Sequence, residues 1–142
     1  MISFDTNILF AALESSAAGH RVSRELLDKH RDSEEVVLCE LMLLELFTLL
    51  RNPKICRKPM TGPQAAETIQ ALRHHPSWRT VDYSPAVTND VWDRAAQSPS
   101  RLSIYDIRLA LTLRHHNVTD FATRNVKDFQ GFGFKKVWDP LA

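Results

Sequence analysis

The stretch Ile2-Ser3-Phe4-Asp5-Thr6-Asn7-Ile8-Leu9-Phe10-Ala11-Ala12-Leu13 decides the fold. A short apolar run ends at an acid, and a second apolar run without Gly or Pro follows at once. This reads as a strand, Ile2 to Phe4, leading directly into a helix over Asn7 to Leu13. The same alternation recurs along the chain. A charged helix covers His20 to His30, with Val22, Leu26 and Leu27 as its apolar stripe. Val36 to Cys39 is the second strand, and Glu40 to Arg51 is helical until Pro53 stops it. Thr61 and Gln64 have capping-box spacing and open a helix that runs to about His74. Trp78 to Val81 is the third strand. Pro85 suits the first turn of a helix that ends near Gln97. Ser103 can cap a helix from Ile104 to His116. Val118 to Ala122 and Phe134 to Trp138 supply the fourth and fifth strands. Strands joined by helices imply a parallel sheet of about five strands with helices on both faces. The expectation is a single α/β domain over residues 1–142.

Composition agrees with one compact domain. The 142 residues carry 18 Lys and Arg against 17 Asp and Glu, and 44% of them are hydrophobic, which excludes a disordered chain. A net charge of +1 argues against a basic-tail nucleic-acid binder. Cys39 and Cys56 make no disulfide framework, and Cys39 within Val36-Val37-Leu38-Cys39 reads as a buried thiol. Leu38 to Leu50, the most apolar window, contains two glutamates and is too short to span a bilayer. No secretory signal precedes the first strand, so a cytoplasmic protein without membrane association is expected. Four glycines are too few and too scattered for a phosphate-cradling loop.

The candidate site emerges from where acids fall. In open parallel sheets, ligands bind at the carboxyl ends of the strands. Asp5 stands at such an end, where it reads equally well as an N-cap. Glu45 has Leu41, Met42, Thr48 and Leu49 as helical neighbours, which is not a solvent-facing stripe. A carboxylate in that setting needs a partner, a proton or a cation. Asp106 lies in the first turn of its helix among Leu102, Leu109 and Ala110, which turns it inward. Thr123-Arg124-Asn125-Val126-Lys127-Asp128-Phe129 follows the fourth strand and can bring Asn125 and Asp128 to the same mouth. Converging acids repel one another unless protons or a divalent cation offset them. Oxygen ligands select Mg²⁺ or Mn²⁺, and a bound cation of that kind suits phosphodiester hydrolysis.

In this order and spacing, Phe4-Asp5-Thr6-Asn7, Leu44-Glu45-Leu46-Phe47, Tyr105-Asp106-Ile107 and the Thr123–Phe129 segment together resemble a PIN domain. More narrowly, they resemble the VapC ribonuclease toxins of bacterial toxin–antitoxin pairs. The resemblance covers essentially the whole chain. It implies that Asp5, Glu45 and Asp106 bind Mg²⁺ or Mn²⁺ in a metal-dependent endoribonuclease whose products carry 5′-phosphate and 3′-hydroxyl ends. Asn125 stands where many PIN domains carry Asp, which makes Asp128 the choice for the fourth carboxylate. Thr6, Asn7 and Thr123 match positions that shape the pocket, with Asn7 supporting the ligands from behind. The resemblance further implies a VapB-like antitoxin that covers the acids, a transfer or ribosomal RNA substrate, and a homodimer.

Other features have blander readings. The basic loop Arg51 to Lys58 and the pair Arg124 and Lys127 are candidates for phosphate contact, and the loop reads equally as an ordinary solvated turn. His74-His75 and His115-His116 end helices, where imidazoles suit the dipole better than a shared metal. Trp78, Trp92 and Trp138 read as core and rim rather than as base-stacking platforms. A PIN-like module that binds RNA or protein with little catalysis is the alternative, and Asn125 keeps it open. A phosphoacceptor receiver domain would need an acidic pair after the first strand, and Asp5 is alone there. Setting Asp5, Glu45, Asp106 and Asp128 apart leaves 13 acids against 18 bases, so the exterior is moderately basic despite the overall balance.

Overall fold

The computed structural model describes residues 1–142. In chain order its elements are β1 (Ile2–Phe4), α1 (Thr6–Leu13), α2 (His20–Lys29), β2 (Val37–Cys39), α3 (Glu40–Leu50), α4 (Gly62–Arg73), β3 (Arg79–Val81), α5 (Thr88–Gln97), α6 (Ile104–His115), β4 (Asp120–Ala122) and β5 (Lys136–Trp138). Single 3₁₀ turns at Pro85–Val87 and Val126–Phe129 precede α5 and β5. Local chemistry accounts for most boundaries. Asp5 caps α1, Ser103 caps α6 through the Tyr105 amide, and Thr61 with Gln64 forms the full capping box on α4. Gly19 precedes α2 at φ 78°, a conformation that favours glycine, and a Cβ there would lie 1.6 Å from Leu141 Cδ2 and force that side chain to move.

All strand pairs are parallel, as expected of strands joined by helices. The expected five-stranded sheet is present as two ladders. β1-β4-β5 forms one and β2-β3 the other. A single bridge, Ile2 to Val36, links them, with the Ile2 amide donating to the Glu35 carbonyl at 2.9 Å. β1 therefore lies between β4 and the start of β2. The registers Phe4 to Ala122 and Ala122 to Trp138 bring the ends of β1, β4 and β5 level. Asp5 and Thr123 thus leave the sheet side by side. The Asp5 amide donates to the Ala122 carbonyl at 2.8 Å and the Thr123 amide to the Trp138 carbonyl at 2.9 Å.

The core is continuous across both ladders. Phe4, Ile8, Met42, Leu46, Ile107, Leu113 and Phe121 are all fully buried. Phe121 packs edge-on against Phe129 at 4.8 Å and stacks with Phe134 at 5.4 Å, which fixes the segment after β4 against the sheet. Cys39 is buried and free, as expected. α2 departs from the expected stripe: Val22 is exposed, and Ser23 shares the buried face with Leu27. β3 begins at Arg79, and the Trp78 indole N–H just before it donates to the His30 carbonyl at 2.9 Å. No helix is long and apolar enough to cross a membrane.

Candidate active site

The site has an inner wall at the strand ends and an outer wall on two helices. Asp5 is the centre of the inner wall. Its Oδ1 accepts from the Thr6 amide at 2.8 Å, and its Oδ2 accepts from the Thr123 hydroxyl at 2.5 Å and the Asn7 amide nitrogen at 3.4 Å. The Asn7 side-chain carbonyl in turn accepts from the Arg124 amide at 3.3 Å. Asp5 is only 6% exposed. Burial pushes its carboxyl up to about 6 against the pull of the Thr123 and Thr6 hydrogen bonds, and Asp106 and Glu45 add to the rise. The N-cap reading of Asp5 holds, and the same carboxylate is buried and perturbed at the strand end.

The outer wall lies between α3 and α6. A cleft of about 530 Å³ separates them, lined by Leu41, Leu44, Glu45, Tyr105, Asp106 and Leu109 among others. Glu45 was expected to face inward, and here the structure corrects the sequence reading. Met42, Leu43, Leu46 and Leu50 form the buried face of α3, whereas Glu45 is exposed at the cleft. Its apolar neighbours mislead because Leu41 and Leu44 line the cleft, Leu41 while also packing against the core and Leu44 while 68% exposed. The Thr6 hydroxyl donates to Glu45 Oε2 at 3.2 Å and ties this acid to the inner wall. Asp106 is half-buried as expected, and burial followed by the charges of Glu45 and Asp128 raises its carboxyl above the usual range.

Asp128 reaches the same rim, close enough to perturb Asp106. Unlike the other three acids it has a cationic partner, Arg101, at 2.5 Å. Asn125 does not project a bonded side chain: its amide donates to the Thr123 hydroxyl at 3.0 Å and its carbonyl accepts from the Asp128 amide at 3.0 Å. Arg124 and Lys127 are exposed, and Arg124 lies 4.0 Å from Asp139. The basic loop departs from α3 beyond Glu45, and none of its cations pairs with a site acid. Glu40 pairs with Arg73 as well as standing in the first turn of α3. His75 Nδ1 accepts from the Ser77 and Trp78 amides, a structural role. Arg101 was missed by sequence reasoning, and no local signal marks it.

The donor set is oxygen throughout; Asp106 and Glu45 lie near enough to Asp5 to raise its carboxyl, and none of the three pairs with a protein cation. That chemistry fits a hard divalent ion. The expected shared ligand set is not closed: no three acidic, His or Cys side chains are positioned to hold one ion directly. Ligands that act through water do not need to meet at one point, so an open set of this kind still suits Mg²⁺ or Mn²⁺.

Comparison with known proteins places the chain in a family. The PIN domain family model matches residues 2–135. Ribonuclease VapC24 of Mycobacterium tuberculosis is 44% identical over 142 residues, covering 99% of this chain and 97% of its own. Among solved structures, the Mycobacterium tuberculosis toxin VapC20, described as cleaving the sarcin–ricin loop, superposes with a TM-score of 0.73 at 20% identity, covering 94% of this chain and 96% of its own. A toxin–antitoxin complex from Klebsiella pneumoniae gives 0.64 at 20% identity, covering 99% and 98%. With the family model, the VapC24 relative and the acidic rim in agreement, the chain belongs to the PIN domain family, on its VapC side.

Proposed function

We propose that this protein is a Mg²⁺- or Mn²⁺-dependent endoribonuclease toxin that a cognate antitoxin neutralises. One observation carries the reading: acids from β1–α1, α3 and α6 meet on one rim with no protein cation between them, and the innermost is buried and held up to about 6. The VapC24 relative, named a ribonuclease, supports RNA as substrate. The toxin–antitoxin complexes among the structural neighbours support an antitoxin partner, and a homodimer belongs to the same proposal.

Asp5 and Asp106 would hold the ion, with Glu45 and Asp128 completing the shell through water. When bound, the ion supplies charge stabilisation at the phosphate and a more acidic water. The chain's own contribution is positional. Thr123 and Thr6 orient Asp5, Asn7 braces it from the Arg124 side, and Thr6 links Asp5 to Glu45. Arg124 and Lys127, exposed beside the rim, contact backbone phosphates. A basic antitoxin side chain entering among the acids would pair with them and exclude RNA.

Purified protein should cleave total RNA with Mg²⁺ or Mn²⁺, stop in EDTA, and leave 5′-phosphate and 3′-hydroxyl ends. Cleavage that survives EDTA would end the metal-dependent reading. The open ligand set favours one alternative, a PIN-like module that binds RNA or protein with little catalysis. That module would bind RNA equally well with and without metal and cut none of it.

A further inference from the structure

Beside the acidic cleft lies a second pocket of about 290 Å³, formed by Tyr83, Val91, Trp92, Ile104, Tyr105 and Arg108. We propose that it receives an unstacked base of the RNA substrate next to the scissile phosphate, an inference that rests on the nuclease reading above. Four observations lead there.

Trp92 and Tyr105 are each 64% exposed, an unusual investment of aromatic surface in solvent, whereas Trp78 is buried. Arg108 lies with its guanidinium carbon 3.9 Å from the Tyr83 ring centre and forms no ion pair. Tyr83 is itself fixed by a 2.7 Å hydrogen bond between its hydroxyl and Thr88. The pocket also adjoins the cleft, because Tyr105 lines both and its chain neighbour is Asp106.

These parts match the needs of a nucleobase. Aromatic faces stack on either purine or pyrimidine, and recognition of RNA sequence targets unpaired bases splayed from the strand. A guanidinium stacked on a tyrosine keeps its edge N–H groups free for a base carbonyl or ring nitrogen. The rim acids cannot bind RNA by charge on their own. A base held one side chain away from Asp106 would bring its phosphate toward the metal site without asking the acids to attract it. Trp92 stands at the rim, within the sequence reading of core or rim, and the proposal adds the stacking role that reading set aside.

The test uses the full chain carrying Asp5→Asn, so that RNA is bound and not consumed. The probes are short homopolymers of A and of U and an abasic oligoribonucleotide of equal length. Binding of oligo(A) or oligo(U) should quench Trp92 emission, and the abasic strand should bind about 10-fold more weakly without quenching. Trp92→Ala and Tyr105→Ala should each weaken oligo(A) or oligo(U) binding about 10-fold and leave abasic binding unchanged, and Trp92→Phe should restore most of the loss. Equal affinity for abasic and base-bearing strands, or no loss in Trp92→Ala, overturns the pocket and leaves the nuclease reading standing. Failure of the parent to bind any of the strands, with no RNA cleavage by the wild type in Mg²⁺ or Mn²⁺, removes both. A fall in the mass of Trp92→Ala by sedimentation equilibrium assigns the face to a contact between chains and also overturns the proposal.

Discussion

Asp5 is held by the sheet, and Glu45 by a helix that borders an open cleft. The first accepts hydrogen bonds from Thr6, Thr123 and Asn7 and is nearly sealed from water; the second accepts one, from Thr6, and is exposed. A buried carboxylate costs stability when it ionises, while an exposed one costs little. The inner wall therefore fixes position at an energetic cost, and the outer wall leaves room to adjust to the metal and RNA proposed to bind there. Such division is expected where a fold must keep like charges close.

Asp5→Asn should separate the walls most sharply. Under the proposed mechanism cleavage should fall below detection, because the charge of the innermost acid is gone. The amide oxygen can still accept from Thr6, so the cap survives. The stability effect has the opposite sign to the activity effect. Asp5 titrates near 6 in the folded chain against 3.8 in the open one, so the folded state holds its proton more tightly. Metal-free wild type should therefore lose about 3 kcal/mol as pH rises from about 4 to about 6. Asp5→Asn lacks that loss and should melt above wild type at neutral pH, with the difference vanishing below about pH 4. Mg²⁺ should raise the melting temperature of the wild type and not of the variant. Denaturation curves across pH check this, and a variant less stable than wild type at pH 7 would contradict the inner-wall account.

Thr123→Val probes the same wall through one hydroxyl. Removing the donor to Asp5 leaves burial unopposed on that side, so the carboxyl should rise further and the pH at which stability is lost should move upward. Loss of a group that orients a ligand typically costs about 10- to 100-fold in metal affinity or activity. Thr123→Ser should restore most of both. A Mg²⁺ titration of cleavage distinguishes this from misfolding, since the deficit should shrink at high Mg²⁺.

Glu45→Gln tests the outer wall. Its exposure predicts a stability change within about 0.5 kcal/mol. Removing its charge should lower the carboxyls of Asp5 and Asp106, both of which it raises. Activity should fall through a higher Mg²⁺ requirement rather than through loss of fold. A destabilisation of several kcal/mol would mean that Glu45 is structural after all.

The unequal legibility of the two walls has the same physical origin. Asp5 was readable because strand, acid and helix are contiguous in the chain, so local pattern alone puts the carboxylate at a strand end. Thr123 and Asn125 followed for the same reason at the end of β4. Capping at Thr61 and Ser103 placed α4 and α6 to within a residue or two. Glu45 was found by its apolar surroundings, yet its exposure was misread, because local spacing cannot tell a helix face lining a cleft from one lining the core. The division of the sheet into two ladders was equally invisible, since it rests on how far β1 and β2 run together. Arg101 and Asp128, 27 residues apart and both on the surface, leave no periodic trace at all.

That ion pair gives the smallest expected effect and the most direct check on an adjustable outer wall. Arg101 and Asp128 are partly exposed, and such pairs contribute about 0–1 kcal/mol. Arg101→Ala should therefore leave the melting temperature almost unchanged. What it releases is a carboxylate whose charge already raises Asp106. Without the guanidinium, the rim becomes more negative by one charge and should attract a divalent ion more strongly. At about 1 kcal/mol or less, the Mg²⁺ concentration giving half-maximal cleavage should fall by no more than about 5-fold. The gain should shrink as monovalent salt is added, because screening acts on exposed charges. If Arg101→Ala instead abolished cleavage as Asp5→Asn does, Asp128 would have to be rigidly placed by its partner. The outer wall would then be as preorganised as the inner one, with an ion pair doing on the surface what buried hydrogen bonds do at the strand ends.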